Sequence, residues 1–151
     1  MINNVSFNHK VYMENVIYYR SKVTRAEMQE IEDMIDLIIL RNHAKKISNQ
    51  ITATHSVELN KKQIVVDWEI MVSVDKEIPL PRGFKMLPVF EVDKVMRMRV
   101  ASDHKSINYA MPKAMEVIDS FGNAPMTPFY VETIDNGIEK YAEIFVGLYR
   151  E

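Results

Sequence analysis

The sequence predicts an α+β fold: a duplicated βαββ unit forming an antiparallel sheet, with two helices packed on one face and a central groove on the other. Three observations carry this prediction. Apolar and polar residues alternate with period two over residues 64–74, 92–101 and 129–149, whereas residues 24–43 and 102–121 carry apolar residues at helical spacing. The elements run strand, helix, strand, strand, and then repeat that order. The halves also echo each other locally, since Trp68-Glu69-Ile70-Met71-Val72 parallels Ala142-Glu143-Ile144-Phe145-Val146. A chain of 151 residues is expected to be a single domain, here made of two pseudo-repeats at about 5–78 and 84–151.

In order, residues 11–22 hold Val11, Met13, Val16, Ile17, Tyr18 and Tyr19 without Gly or Pro, which suits a first strand. Thr24-Arg25-Ala26-Glu27 matches a capping box, in which hydroxyl and carboxylate satisfy the exposed N–H groups of a starting helix. Met28, Ile31, Ile35, Ile38 and Ile39 then form its apolar stripe until about His43, with Glu27, Glu30, Asp33 and Asp36 on a solvated side. Residues 51–59 and 64–74 read as two strands joined at Asn60-Lys61-Lys62, and parity puts Trp68 on the core face. Pro79, Pro81 and Gly83 mark a connector.

The second copy opens with a strand over residues 92–101, where Met96, Met98 and Val100 alternate with Arg97 and Arg99. Ser102 or Asp103 caps a second helix with the seam Ile107, Met111, Ala114, Ile118 and Phe121. Pro112 requires that this helix either begin near Met111 or bend, because a mid-helix proline costs about 3 kcal/mol. Gly122 suits the position after the helix end, and Pro125 and Pro128 keep the chain extended.

Residues 129–149 read as a hairpin closing on Asn136-Gly137 through a two-residue type I′ turn. That register sets Asp135 opposite Ile138, Glu132 opposite Tyr141, Tyr130 opposite Glu143 and Val131 opposite Ala142. One face is then aliphatic, with Phe129, Val131, Ala142, Ile144, Val146 and Leu148. The other carries Tyr130, Glu132, Tyr141, Glu143, Phe145 and Tyr149.

Composition narrows the function. With 19 basic against 21 acidic residues the net charge is −2, which disfavours nucleic-acid binding by this chain alone. No cysteine is present, which removes disulfides, thiolate metal sites and a Cys nucleophile. The first residues, Ile2-Asn3-Asn4 among them, lack signal-peptide character, and no segment has the length and apolarity of a membrane span, so a cytoplasmic location is expected. His9, His43, His55 and His104 show no metal-ligand spacing, and neither a metal nor a cofactor is expected. Arg97 and Arg99 share a strand face, where they suit an anion or, more simply, pairing with Glu58 or Glu69. The eleven methionines suit an adaptable pocket or, more simply, an ordinary core.

The chain resembles the GyrI-like small-molecule-binding domain, the effector-binding domain of AraC-type and MerR-type multidrug regulators. The resemblance rests on Gly83-Phe84 leading through Met86-Leu87-Pro88, on Pro128-Phe129-Tyr130-Val131-Glu132, and on Ala142-Glu143-Ile144-Phe145-Val146. It implies the GyrI-like, SOUL-like architecture and a carboxylate on the penultimate strand that meets cationic, lipophilic ligands in an aromatic pocket; Glu132 matches that position. Ser102-Asp103-His104 stands where the family usually has Gly, and Gly147 where it tends to have Pro. No helix-turn-helix precedes the domain in this sequence, so a stand-alone form is expected.

A carboxylate among aromatic rings suits an organic cation, since charge neutralises charge and each ring face adds roughly 0.5–2 kcal/mol. The expected ligand-binding set is therefore Glu132, Tyr130, Tyr141, Phe145 and Glu143, holding a small hydrophobic or cationic molecule. The same pattern also fits an exposed strand face with ordinary cross-strand pairs. Two further readings stay open: a protein-interaction module whose partner covers this surface, and a small-molecule hydrolase using Glu132 and Glu143 as its acid and base. No residue is singled out as catalytic.

Overall fold

The computed structural model describes residues 4–149, so the reading of Ile2 and Asn3 falls outside the described residues. These form seven strands and two helices in the order β1 (Val5–Val23), α1 (Arg25–Arg41), β2 (Ile51–Asn60), β3 (Gln63–Ser73), β4 (Phe84–Val100), α2 (His104–Ser120), β5 (Ala124–Pro125), β6 (Tyr130–Asp135) and β7 (Lys140–Tyr149). The fold is α+β with antiparallel strands, and the order strand, helix, strand, strand occurs twice, with the short β5 inserted in the second copy. β1 and β4 begin earlier than periodicity suggests. Their left-handed residues, Asn8 and Asn15 in β1 and Lys94 in β4, interrupt the alternation that marks a strand in sequence.

The chain divides into two compact units: a middle unit, Met13–Phe90, and a split unit made of Met1–Tyr12 with Glu91–Glu151. The start of β1 therefore belongs with the second half of the chain. In the middle unit, β3 lies between β1 and β2, with Val16 opposite Ser73 and Val23 opposite Val66 on one side and Ile51 opposite Met71 on the other. The β2–β3 turn is a two-residue loop, Lys61-Lys62, with both residues left-handed at φ of 49° and 67°. This is the geometry a type I′ turn requires. Parity holds along β3 from Trp68 onward, whereas Ile64 near its start is exposed. Trp68, Ile70, Val72 and Val74 join Ile31, Ile35, Ile38 and Ile39 of α1 in one core. The opposite face of β3 is not open, because Glu69, Met71 and Ser73 are also buried.

α1 begins as its sequence dictates. Thr24 Oγ1 accepts from the Glu27 N–H at 3.3 Å, and Glu27 Oε1 accepts from the Thr24 N–H at 3.0 Å.

In the split unit, β7 lies between β4 and β6, and β5 pairs with the end of β7. α2 packs over Met96, Met98, Ile144, Val146 and Leu148 through Ala110, Ala114, Val117 and Ile118. The helix starts at His104 and runs through Pro112, capped by Asp103, whose Oδ1 accepts from the Ser106 N–H at 2.8 Å. Pro112 and Asn108 both lie on the exposed side, so the Asn108 carbonyl that loses its donor faces water. Phe121, placed by spacing in the seam, is instead largely exposed at the C-cap and meets Phe7 edge-on, with ring centroids 5.2 Å apart. Beyond it, the Asn123 N–H donates to the Ile118 carbonyl and the Gly122 N–H to the Asp119 carbonyl, a Schellman ending.

The closing hairpin corrects the expected register. Asp135 pairs with Lys140, so Glu132 stands opposite Glu143, Tyr130 opposite Phe145 and Val131 opposite Ile144. Four residues, Asn136 to Glu139, make the loop. Gly137 is left-handed at φ 82°, but Asn136 is not, and type I′ needs both. Asn136 Oδ1 instead accepts from the N–H groups of Ile138 and Glu139, at 2.9 and 2.7 Å, stabilising the longer turn. A slip of two residues leaves every side chain on its expected face and changes only its neighbours.

Gly147 is a site of close packing. A Cβ there would lie 2.6 Å from Val92 Cγ1, a stiff branched side chain that is itself buried, and its N–H donates to Thr127 Oγ1 at 2.9 Å. Proline, common in the resembling family at this position, would lose that bond and meet the same obstruction.

Candidate functional site

The corrected register arranges two cross-strand rows on the face of the split unit's sheet opposite α2. One row is Arg99, Glu143 and Glu132, taken across β4, β7 and β6. The other, one step along, is Arg97, Phe145 and Tyr130. All five residues expected to bind a ligand lie on β6 and β7. Glu132, Glu143, Phe145 and Tyr130 come together here, with Tyr141 one position further along.

Two glutamates directly opposite each other repel, and an arginine resolves the conflict. Arg97 Nη1 donates to Glu132 Oε1 at 2.9 Å and to Glu143 Oε2 at 2.7 Å, joining both carboxylates through one nitrogen. To reach them it leans out of its own row over the ring of Phe145, with Cζ 5.0 Å from the ring centroid. Phe145, fully buried, stacks in turn on Tyr130, with centroids 5.0 Å apart and planes 21° from parallel. The three charged side chains are mostly out of water, at 20% exposure for Arg97, 16% for Glu132 and 18% for Glu143. Arg99 is half exposed; its Nη2 lies 3.7 Å from Glu143 Oε1 and its Cζ sits 4.1 Å above the Tyr141 ring.

Arg97 is the member of this cluster that sequence reasoning did not assign. Its expected partners were Glu58 or Glu69, but Glu58 pairs with Lys22 and Glu69 with His55. The signal was available in the duplication: if β7 is the counterpart of β3, then β4 must lie beside β7 as β1 lies beside β3, and Arg97 and Arg99 fall next to Glu143.

The middle unit carries a counterpart cluster around Glu69, which is 6% exposed and stands opposite Arg20 on β1. His55 Nε2 lies 3.1 Å from Glu69 Oε1. His55 reaches it from the irregularity between Thr54 and Ser56, which explains why alternation did not reveal it. Arg20 is engaged by Asp67, through Nε to Oδ1 and Nη2 to Oδ2, both at 3.1 Å, and this fork holds the Asp67 carboxyl below its ordinary value. Burial, together with the hydrogen bond to Glu69 and its charge, pushes the Tyr18 phenol from 10.0 up to about 12. The folded state thus favours the neutral phenol. Its contribution to stability is complete below pH 10 and is lost as pH rises towards 12. An ultraviolet titration should show a tyrosine step near pH 12 that is missing in Tyr18→Phe; loss of a step near pH 10 instead would contradict the burial of the phenol beside Glu69.

A cavity of about 470 Å³ adjoins this cluster, lined by Tyr18, Arg20, Lys22, Asp67 and Lys85 among others. None of the five expected ligand residues lines it. Among the described residues no group of His, Asp and Glu is placed to hold a metal ion, and no helix is long and apolar enough to cross a membrane.

No family model and no curated protein matches the sequence. Solved structures do match the fold. The crystal structure of the EcmrR C-terminal domain superposes with a TM-score of 0.70 at 15% identity, covering 100% of both chains. EcmrR in its cryo-EM complex with DNA gives 0.74 at 14% identity, over 100% of this chain and 59% of that one. The present chain therefore spans 59% of the length of that EcmrR chain. A hydrolase from Listeria innocua gives 0.57 at 6% identity, over 96% of this chain and 90% of the hydrolase. The chain has the GyrI-like α+β fold that its sequence resemblance implies.

Proposed function

We propose that this chain is an effector-binding domain, acting in the cytoplasm, that holds a hydrophobic organic cation at the Glu132–Glu143 carboxylate pair. Tyr130, Phe145 and Tyr141 supply the aromatic surface. The observation that carries the reading is the one guanidinium held by two carboxylates against the Phe145 ring. A sheet face that satisfies a planar cation so fully has the charge, the acceptors and the ring that an aromatic cation needs. The fold shared with the EcmrR C-terminal domain supports the same reading.

The competing readings draw less support. Acid–base hydrolysis calls for a carboxylate free to take up or release a proton, yet Arg97 donates a hydrogen bond to both Glu132 and Glu143. A protein partner would need a broad exposed aromatic surface, whereas Tyr130 and Phe145 are covered, Phe145 by the Arg97 guanidinium whose place a small cation would take.

A thermal-shift screen with aromatic cations tests the proposal. A ligand at a hundred times its dissociation constant stabilises by about 2.7 kcal/mol, which raises the melting temperature measurably. Glu132→Gln is expected to abolish that rise while remaining folded. An equal rise in wild type and Glu132→Gln would move the site away from this carboxylate.

A further inference from the structure

Resting on the cation-site reading, we infer that Arg97 is an internal occupant of the site, and that the ligands it admits are planar N–H-donating cations, arylamidinium or arylguanidinium in type, which displace it. The guanidinium shows what the site satisfies. A single nitrogen donates to an oxygen of each glutamate, at 2.9 and 2.7 Å, while the guanidinium carbon lies over the Phe145 ring at 5.0 Å. The glutamates face each other across β6 and β7, largely out of water, and a positive group between them offsets their repulsion. A quaternary ammonium supplies charge but no donor, and would not replace the two hydrogen bonds that Arg97 gives to Glu132 Oε1 and Glu143 Oε2. An amidinium supplies both, and its aryl group extends the contact with the rings.

Displacement is structurally simple. Arg97 enters the site from the neighbouring row on a flexible stem, and its head group makes both hydrogen bonds. Arg99, two residues further on the same face, carries its guanidinium half exposed over Tyr141, so this strand already accommodates a solvated arginine. Occupancy by Arg97 lowers the apparent affinity for a ligand by the fraction of molecules in which the site is closed. It also raises selectivity, because a cation must match the guanidinium's hydrogen bonds to replace it.

Isothermal titration with benzamidinium and phenyltrimethylammonium, on wild type, Arg97→Met and Arg97→Gln, provides the test, with circular dichroism to verify folding. Arg97→Met is expected to bind benzamidinium at least tenfold more tightly than wild type, and more tightly than it binds phenyltrimethylammonium. Arg97→Gln, which keeps an N–H donor without the charge, should show a smaller gain in the same order, and it decides the matter if the Met variant does not fold. Equal benzamidinium affinity in wild type and variants, lost in Glu132→Gln, would overturn self-occupancy and leave the cation site standing. Weaker binding in the variants would make Arg97 part of the ligand's own surface and likewise overturn the inference. A preference of the variants for phenyltrimethylammonium would overturn the donor requirement. Absence of binding in all three proteins would overturn the cation-site reading itself.

Discussion

Trp68→Ala is expected to lower the free energy of unfolding by about 3–5 kcal/mol, the range for truncating a buried large aromatic residue. Trp68 is 5% exposed and lies in the core that joins β3 to Ile31, Ile35 and Ile38 of α1. Its backbone sits between Ser21 of β1 and Thr54 of β2, so the strands on both sides limit how far the cavity can collapse. A domain of this kind has a total stability of about 5–15 kcal/mol, so the loss is a large share. The measurement is urea denaturation followed by far-ultraviolet circular dichroism, since the substitution removes the only tryptophan. Ile64→Ala on the same strand face is the control. Ile64 is 61% exposed, and its loss is expected to stay within about 0.5 kcal/mol. Similar costs at the two positions would contradict the placement of α1 over the far end of β3.

Arg97→Met is expected to cost about 2–3 kcal/mol, below the 3–5 kcal/mol of a fully buried pair because the three side chains keep some contact with water. The cost arises less from the lost attraction than from what remains. Glu132 and Glu143 face each other directly, and without the guanidinium their charges repel across the strand pair. A double-mutant cycle isolates this term. Glu143→Gln removes a useful partner when Arg97 is present but relieves repulsion when it is absent. It should therefore destabilise wild type and be neutral or stabilising in the Arg97→Met background, with a coupling of about 1–3 kcal/mol. Additive costs would mean that the Arg97 contacts carry no net energy.

The fold was legible where the local pattern and the tertiary demand coincide. Thr24 and Glu27 form the capping box that their spacing implies, and the even positions of β3 from Trp68 onward face the core. Pattern failed where a single residue changes the geometry. Asn136-Gly137 carries a two-residue turn signal, yet Asn136 uses its side chain to close a four-residue loop, and Lys61-Lys62, with no glycine, adopts two left-handed conformations. Parity survived that error because the slip was an even number of residues. The site's residues could thus be assigned to one face while their neighbours were misassigned: Glu132 was set against Tyr141 and meets Glu143. Arg97 was hidden for a different reason. Its partners lie 35 and 46 residues away on other strands, and only the strand order brings them within reach.

An organic-cation site held closed by the chain's own arginine, at the carboxylate pair on β6 and β7, has a consequence that can be read at those three side chains. The most direct measurement follows the side-chain carboxyl carbons of Glu132 and Glu143 and the Nε of Arg97 by nuclear magnetic resonance during titration with benzamidinium. All three signals are expected to move together and saturate at one ligand per chain, the Arg97 signal changing towards that of a solvated guanidinium. Saturable binding that leaves these three signals unmoved would contradict both the cation site and its occupation by Arg97.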